Sequence, residues 1–179
     1  MKKTIFGLIV LSLTGCLRYP ESVKPVSGFD LNSYIGKWYE IARLDHSFER
    51  GLTKVTAEYS LREDGGIKVV NRGFALEDGK WKEAIGKAYF VEKPDTGYLK
   101  VSFFGPFYGA YVIFGLDKLN YQYAFVSGPD HSYLWLLSRT PDVDEELKTL
   151  FVGQIKDLGF DPSKLIWVNQ QQFGMQQIH

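Results

Sequence analysis

Catalysis by side chains needs a converging set of acids, bases or nucleophiles, and this chain offers few. Its three histidines, His46, His131 and His179, are scattered along the sequence. A Gly-x-Ser-x-Gly elbow, a His-Glu-x-x-His pair and a phosphate-cradling glycine loop are all missing. No catalytic residue and no metal ligand is assigned, and no cofactor is implied. His46 and His131 fall in loops, where a solvated imidazole is the expectation. Two groups stand out. Glu40 shares strand parity with Trp38 and Ala42 and therefore points inward. A carboxylate there needs a partner, a tyrosine hydroxyl or Asn71, or must be neutralised, so it reads as an internal polar anchor and not as a catalytic acid. The second group is Cys16, the one thiol of the chain, which closes an apolar run.

The setting of Cys16 assigns its chemistry. Residues 1–15 carry Lys2 and Lys3, an apolar run from Ile5 to Leu13, and then small residues. This is the build of a secretory signal peptide, too short for a permanent membrane helix. Leu13-Thr14-Gly15-Cys16 resembles the bacterial lipobox. That resemblance implies a diacylglyceryl thioether on Cys16, cleavage before it, and acylation (palmitate) of the new amino group. An ordinary signal peptide with Cys16 present by chance is the bland alternative. Each buried CH₂ contributes about 0.8 kcal/mol, so several acyl chains anchor stably where one would not. Leu17 stands where Asp would retain a lipoprotein in the inner membrane, which implies the periplasmic face of the outer membrane. Residues 16–28 then form the lipidated N-terminus and an extended tether with two prolines, at about 3.3 Å per residue. Residues 29–169 form the domain and 170–179 a frayed tail.

The composition bounds what that domain does. A chain of 179 residues holds one domain with a real core. Its 21 basic and 21 acidic groups, the basic count falling to 19 once Lys2 and Lys3 are removed, give none of the cationic excess that phosphate contacts need. Nucleic acid is therefore not an expected partner. One cysteine rules out an intrachain disulfide. What needs explaining is the aromatic load of 13 Phe, 11 Tyr and 4 Trp.

From Lys37 onward, short segments rich in Val, Ile, Tyr, Phe and Trp alternate with turn signals. Strands are expected at 37–45, 53–63, 66–74, 80–91, 97–104, 110–117, 121–127 and 133–139. Asp64-Gly65-Gly66 and Asp78-Gly79 mark tight hairpins, because glycine supplies the positive φ they require. Eight strands in up-and-down order close into an antiparallel barrel without free edges. After it, Asp142 and Glu145 resemble a capping box, and Leu147, Leu150, Phe151, Ile155 and Leu158 form one apolar face. That helix is expected to pack outside the barrel, stop at Gly159, and precede a short strand at 165–168.

Alternation within strands separates lining from skin. The expected lining comprises Ala57, Tyr59, Leu61, Val69, Asn71, Leu99, Val101, Phe103, Tyr111 and Ile113, followed by Tyr121, Tyr123, Phe125, Tyr133, Trp135 and Leu137. Leu134, Leu136 and Ser138 would lie under the helix. Apolar walls with a few hydroxyls suit a pocket that orients one end of a ligand. A filled barrel with a working outer surface is the alternative, with Phe104, Phe107 and Tyr108 as a contact patch or homodimer interface.

Two signatures name a family. Gly36-Lys37-Trp38 resembles the Gly-x-Trp motif that opens the first strand in lipocalins, and Ser138-Arg139 resembles their third motif. In that fold the tryptophan and arginine stack at the closed end, a cation–π contact worth about 0.5–2 kcal/mol. Gly36, Trp38 and Arg139 would carry this structural role. The second motif, usually Thr-Asp-Tyr, is replaced by Leu116-Asp117-Lys118, which marks an outlying subgroup. The stretches 36–61, 101–111 and 128–141 resemble the bacterial outer-membrane branch of the family, related to plant temperature-induced lipocalins and apolipoprotein D. The resemblance implies an eight-stranded barrel binding fatty acid or lysophospholipid, with a role in lipid storage or transport for envelope maintenance.

Overall fold

A computed structural model describes residues 17–171. The signal peptide, Cys16 and residues 172–179 lie outside the described residues, so the lipidation site expected at Cys16 is not placed. Among the described residues no helix is long and apolar enough to cross a membrane.

A one-turn helix, α1 (Leu31–Tyr34), capped by the Asp30 carboxylate on the Asn32 amide, precedes eight strands. These are β1 (Gly36–Leu44), β2 (Leu52–Leu61), β3 (Ile67–Ala75), β4 (Lys80–Phe90), β5 (Tyr98–Phe104), β6 (Phe107–Leu116), β7 (Tyr123–Ser127) and β8 (Leu134–Ser138). Then come α2 (Glu145–Asp157), a 3-10 turn at Pro162–Lys164 and β9 (Leu165–Trp167). Each of β2 to β7 pairs antiparallel with the next, β8 pairs with β1, and β1 returns to β2, closing the barrel. The expected up-and-down order and hairpins are present. Gly65 and Gly79 hold φ of 77° and 61° at the two predicted tight turns.

The closure is divided along β1. Its first half pairs with β2, from Gly36↔Tyr59 to Tyr39↔Thr56. A bulge between Glu40 and Ala42 then shifts the register, and the second half pairs with β9 from Ala42↔Trp167 to Leu44↔Leu165. A bulge inserts one residue and so reverses the alternation beyond it. Trp38 and Glu40 face the interior, whereas Ala42 packs into the outer layer. Ala42 therefore does not share the face of Trp38, as strict alternation had indicated.

Two apolar layers result. The inner one fills the closed end of the barrel, and the outer one lies between the sheet and α2, where Phe151 and Ile155 are fully buried. Helix α2 is capped by Asp144, whose carboxylate accepts the Leu147 amide at 2.8 Å, two residues later than the Asp142 start read from sequence. Leu150 stays largely exposed.

Residues 17–28 are not a free tether. Val23 is fully buried in the outer layer, Tyr19 packs edge-on against Tyr98 at 4.9 Å, and the Tyr98 hydroxyl donates to the Leu17 carbonyl at 2.7 Å. The Val26 amide donates to Ile113 and its carbonyl accepts from Gly97. Two prolines suppress helix here without preventing a docked, extended path. The expected fraying at Gln170 is also absent, since its side-chain amide holds Glu40 and Val55.

Candidate functional site

A cavity of about 580 Å³ opens at one end of the barrel, within the range of about 300–1,000 Å³ usual for ligand sites. Its mouth is bounded by Phe48 of the β1–β2 connection, by Phe104 and Phe107 at the adjoining ends of β5 and β6, and by Pro129 and Tyr133 of the β7–β8 connection. Phe104 and Phe107 are 79% and 78% exposed there. Of the expected lining, Ala57, Tyr59, Val69, Asn71, Leu99, Val101, Phe103, Tyr111, Tyr133, Trp135 and Leu137 face this cavity. Ile113 is buried inside the barrel but below the cavity, paired with Val126 and packed where Gly97 has no side chain.

Tyr123 and Phe125, expected inside, do not line the cavity. They point away from the cavity into the outer layer, stacked on each other at 5.1 Å, with Phe125 against Phe151 of α2 at 4.9 Å. Ala124 and Val126 take the interior face instead. The bulge between Ile113 and Gly115 and the bare Gly115 backbone make the slot, because a Cβ at 115 would collide with the Phe125 ring. Leu61, also expected inside, is 57% exposed at the end of β2.

Three phenols form the cavity floor. The Tyr111 hydroxyl lies 2.7 Å from that of Tyr34 and 2.8 Å from that of Tyr59. Burial is the main cause that pushes all three above the ordinary phenol range, so each remains protonated. Beneath them the Trp38 ring packs on Tyr34 at 4.9 Å and donates from Nε1 to the Tyr34 carbonyl at 2.8 Å. The Arg139 guanidinium stacks on Trp38, 3.9 Å from the ring centroid. It donates to the carbonyls of Lys37, Ser33, Tyr34, Ile35 and Tyr121. Gly36, at φ 99°, adopts the left-handed backbone that admits the chain beside Arg139. The roles expected of Gly36, Trp38 and Arg139 match this geometry.

Glu40 sits higher on the wall and is buried, but its partner is neither a tyrosine nor Asn71. Arg43 Nη1 donates to Glu40 Oε1 at 2.6 Å, and Nη2 donates to the carbonyls of Glu49 and Leu52. Burial, reinforced by the Glu49 carboxylate and opposed by Arg43, holds the Glu40 carboxyl well above the usual carboxylate range. Glu49 also accepts from Trp135 Nε1 at 3.0 Å. Its other neighbour is His46, whose Nε2 lies 2.9 Å away without hydrogen-bond alignment. His46 is thus not solvated. It is buried between Phe48, at 4.0 Å, and Tyr133, at 5.6 Å, with Nδ1 unpartnered.

Sequence reasoning missed Tyr34, Arg43 and Glu49. Tyr34 lies in a helix too short to show periodicity, and Arg43 turns inward only because of the bulge. Glu49 sits in a polar loop whose inward fold has no sequence signal. Among the described residues no group of three or more His, Cys, Asp or Glu is placed to hold a metal.

Comparison with known proteins accords with this geometry. The model of the lipocalin-like domain family matches residues 29–170. The outer membrane lipoprotein Blc of Vibrio cholerae is 63% identical over 171 residues, covering 96% of this chain and all of the relative. Temperature-induced lipocalin-1 of Arabidopsis thaliana is 34% identical over 81% of each chain. Among solved structures, insecticyanin from the tobacco hornworm Manduca sexta superposes with a TM-score of 0.67 at 23% identity, over 84% of this chain and 85% of that one, which speaks to the fold. With its barrel closed by the Trp38–Arg139 stack and its sequence matched across the whole domain, the chain belongs to the lipocalin family.

Proposed function

We propose that this lipocalin is a bacterial outer-membrane lipoprotein, anchored on the periplasmic face through acylated Cys16, that holds one fatty acid or lysophospholipid in its barrel. The holding would serve lipid storage or transport in envelope maintenance. The observation that carries the reading is the cavity itself: a space of about 580 Å³ lined largely by apolar and aromatic side chains, among them Ala57, Val69, Leu99, Val101, Phe103 and Leu137, with a smaller set of polar groups that includes Glu40, Asn71, Arg72 and Lys82. Such a space gains free energy by removing an acyl chain from water, at about 25 cal/mol per Å² of apolar surface. It also disfavours the filled-barrel alternative, in which the outer surface alone would work. The name of the Vibrio relative supports the location, and the sequence around Cys16 supports the anchor. The lipocalin fold and the name of the Vibrio relative support binding as the role.

The test is titration of the delipidated protein with palmitic acid and with a lysophospholipid, followed by tryptophan fluorescence, since Trp135 lines the cavity. Saturable one-to-one binding of either is expected. Absence of saturation with both removes the reading.

A further inference from the structure

One wall of the cavity carries more acid than the protein answers with fixed cations. Glu40 and Glu49 both line the cavity, and they are only 3% and 5% exposed. The guanidinium beside them, Arg43, donates to the Glu40 carboxyl at 2.6 Å, but its other bonds go to the main-chain carbonyls of Glu49 and Leu52. The Glu49 carboxylate receives a neutral donor, Trp135 Nε1 at 3.0 Å, and has the His46 imidazole at 2.9 Å without hydrogen-bond alignment. Two buried carboxyls therefore share one fixed positive charge. A proton makes up the deficit, since burial and the Glu49 charge hold Glu40 well above the usual carboxylate range.

Three rings stand at the same wall. Phe48, Tyr133 and Trp135 line the cavity with Glu49, and Tyr133 lies 6.3 Å from each of the other two rings. Aromatic faces beside a carboxylate are what an ammonium group seeks, because the ring quadrupole attracts a cation most strongly once water is excluded. Asn71 Oδ1, buried without a partner on β3, adds a further acceptor to the lining. The rim differs in sign. Lys82 shares the inward parity of Ala84 on β4 and lines the cavity there. Its pairing with Asp78 is half-exposed and holds it weakly, which leaves it able to meet a phosphate.

Building on the lipid-binding reading, we infer that the cavity prefers a lysophospholipid whose head ends in an ammonium group, received by Glu49 among Phe48, Tyr133 and Trp135 while Lys82 meets the phosphate. The ammonium takes the place of the proton on Glu40 as the second positive charge of the cluster, so binding releases that proton and strengthens as pH rises. The groups acting on Glu40 are Arg43 on its own strand, Glu49 and His46 on the β1–β2 connection, and Tyr59 on β2, with the uncharged Trp135 on β8. Of these His46 is the one that turns cationic in acid, where it competes with the ligand for Glu49.

The experiment titrates the full chain, cleared of bound lipid, with lysophosphatidylethanolamine and with lysophosphatidylglycerol of the same acyl chain. Calorimetry in buffers of different ionisation heat, from about pH 5 to pH 8, gives the affinity and the protons released. The ammonium lipid should bind about tenfold tighter near pH 8, the usual worth of a hydrogen bond to a charged group. At lower pH it should release protons where the glycerol lipid releases none. In Glu49→Gln, which keeps an acceptor for Trp135, the preference should fall to near unity, and in Glu40→Gln the proton release should be lost. Equal affinities in the natural protein, or a preference that survives Glu49→Gln, overturn the subsite while leaving cavity binding intact. Proton release that persists in Glu40→Gln overturns the exchange at Glu40. Glu49-dependent binding of hexadecylamine in place of lysophosphatidylethanolamine hands the site to simple amines and overturns the phospholipid assignment. Absence of saturable binding by both phospholipids overturns the cavity reading itself. Should Glu49→Gln not fold, the affinity ratio and the proton count of the natural protein decide.

Discussion

The side-chain amide of Gln170 donates to the main-chain carbonyl of Glu40 at 2.8 Å, and also to that of Val55 at 2.9 Å. It bridges the point where β1 parts from β2 and turns to β9. Two carbonyls that a continuous ladder would have paired are thereby satisfied. Gln170→Ala should lower stability by about 1–3 kcal/mol, read as a shift of the urea midpoint. Gln170→Glu should cost at least as much, because a carboxylate cannot donate to a carbonyl. Amide exchange should accelerate first in β1 and β2. Equal midpoints for all three proteins would show that the seam holds without this bridge.

Arg43 is the countercharge of the buried Glu40 carboxyl, and it also donates to the main-chain carbonyls of Glu49 and Leu52. Removing one member of such a set leaves an uncompensated charge, and the usual cost is about 3–5 kcal/mol. Arg43→Met should lose stability on that scale at neutral pH. Adding Glu40→Leu should recover part of it, since the orphaned carboxyl is removed along with its partner. A double variant no more stable than the single one would mean that Arg43 acts through the Glu49 and Leu52 carbonyls and not through Glu40.

Glu40 also sets a pH dependence. An unfolded glutamate titrates near pH 4.3, whereas burial, with Glu49, raises Glu40 well above this in the fold. Between those two values the folded state binds the extra proton. Its contribution to stability is therefore full at the acid end and is lost as pH rises through the folded value. Asp45 and Asp161 have the opposite slope, because their lowered values stabilise the fold above the ordinary range and cease to do so in acid. In Glu40→Gln the downward slope should vanish. The stability difference, variant minus natural protein, should grow between pH 5 and 8 by at most about 1.4 kcal/mol per pH unit. A difference constant over that interval would show that Glu40 stays ionised.

How much of this was legible follows from where the alternation of strands is regular. Ala57, Tyr59, Val69 and Asn71 lie on β2 and β3 away from the bulge near Thr53, and all face the cavity as read. The Trp38 and Arg139 stack was expected from the resemblance of their motifs to those of the lipocalins. Misreadings gather where the period breaks or where both faces are buried. The Glu40/Ala42 bulge turned Arg43 inward. On β7, α2 covers the outer face, so hydrophobicity marks both parities and ring size does not tell them apart. Phe125 then took the larger slot, outside, opposite Gly115. His46 and Gln170 were read as exposed from residue type, but tertiary partners bury the first and bind the second.

That division of β7 and β2 between two layers yields a paired test. Phe125 is fully buried against Phe151 in the outer layer and touches no part of the cavity, so Phe125→Ala should cost about 3–5 kcal/mol of stability. Its affinity for palmitate should be unchanged under conditions where it remains folded. Ala57 faces the open space of the barrel, and Ala57→Phe fills part of that space with little disturbance of packed neighbours. Affinity should then fall about tenfold or more while the urea midpoint shifts by less than about 1.5 kcal/mol. Tryptophan-fluorescence titration and urea unfolding on the two variants give both readouts. If Phe125→Ala weakened binding as Ala57→Phe does, the outer layer would be transmitting to the cavity, and the separation of lining from skin drawn from the register would have to be given up.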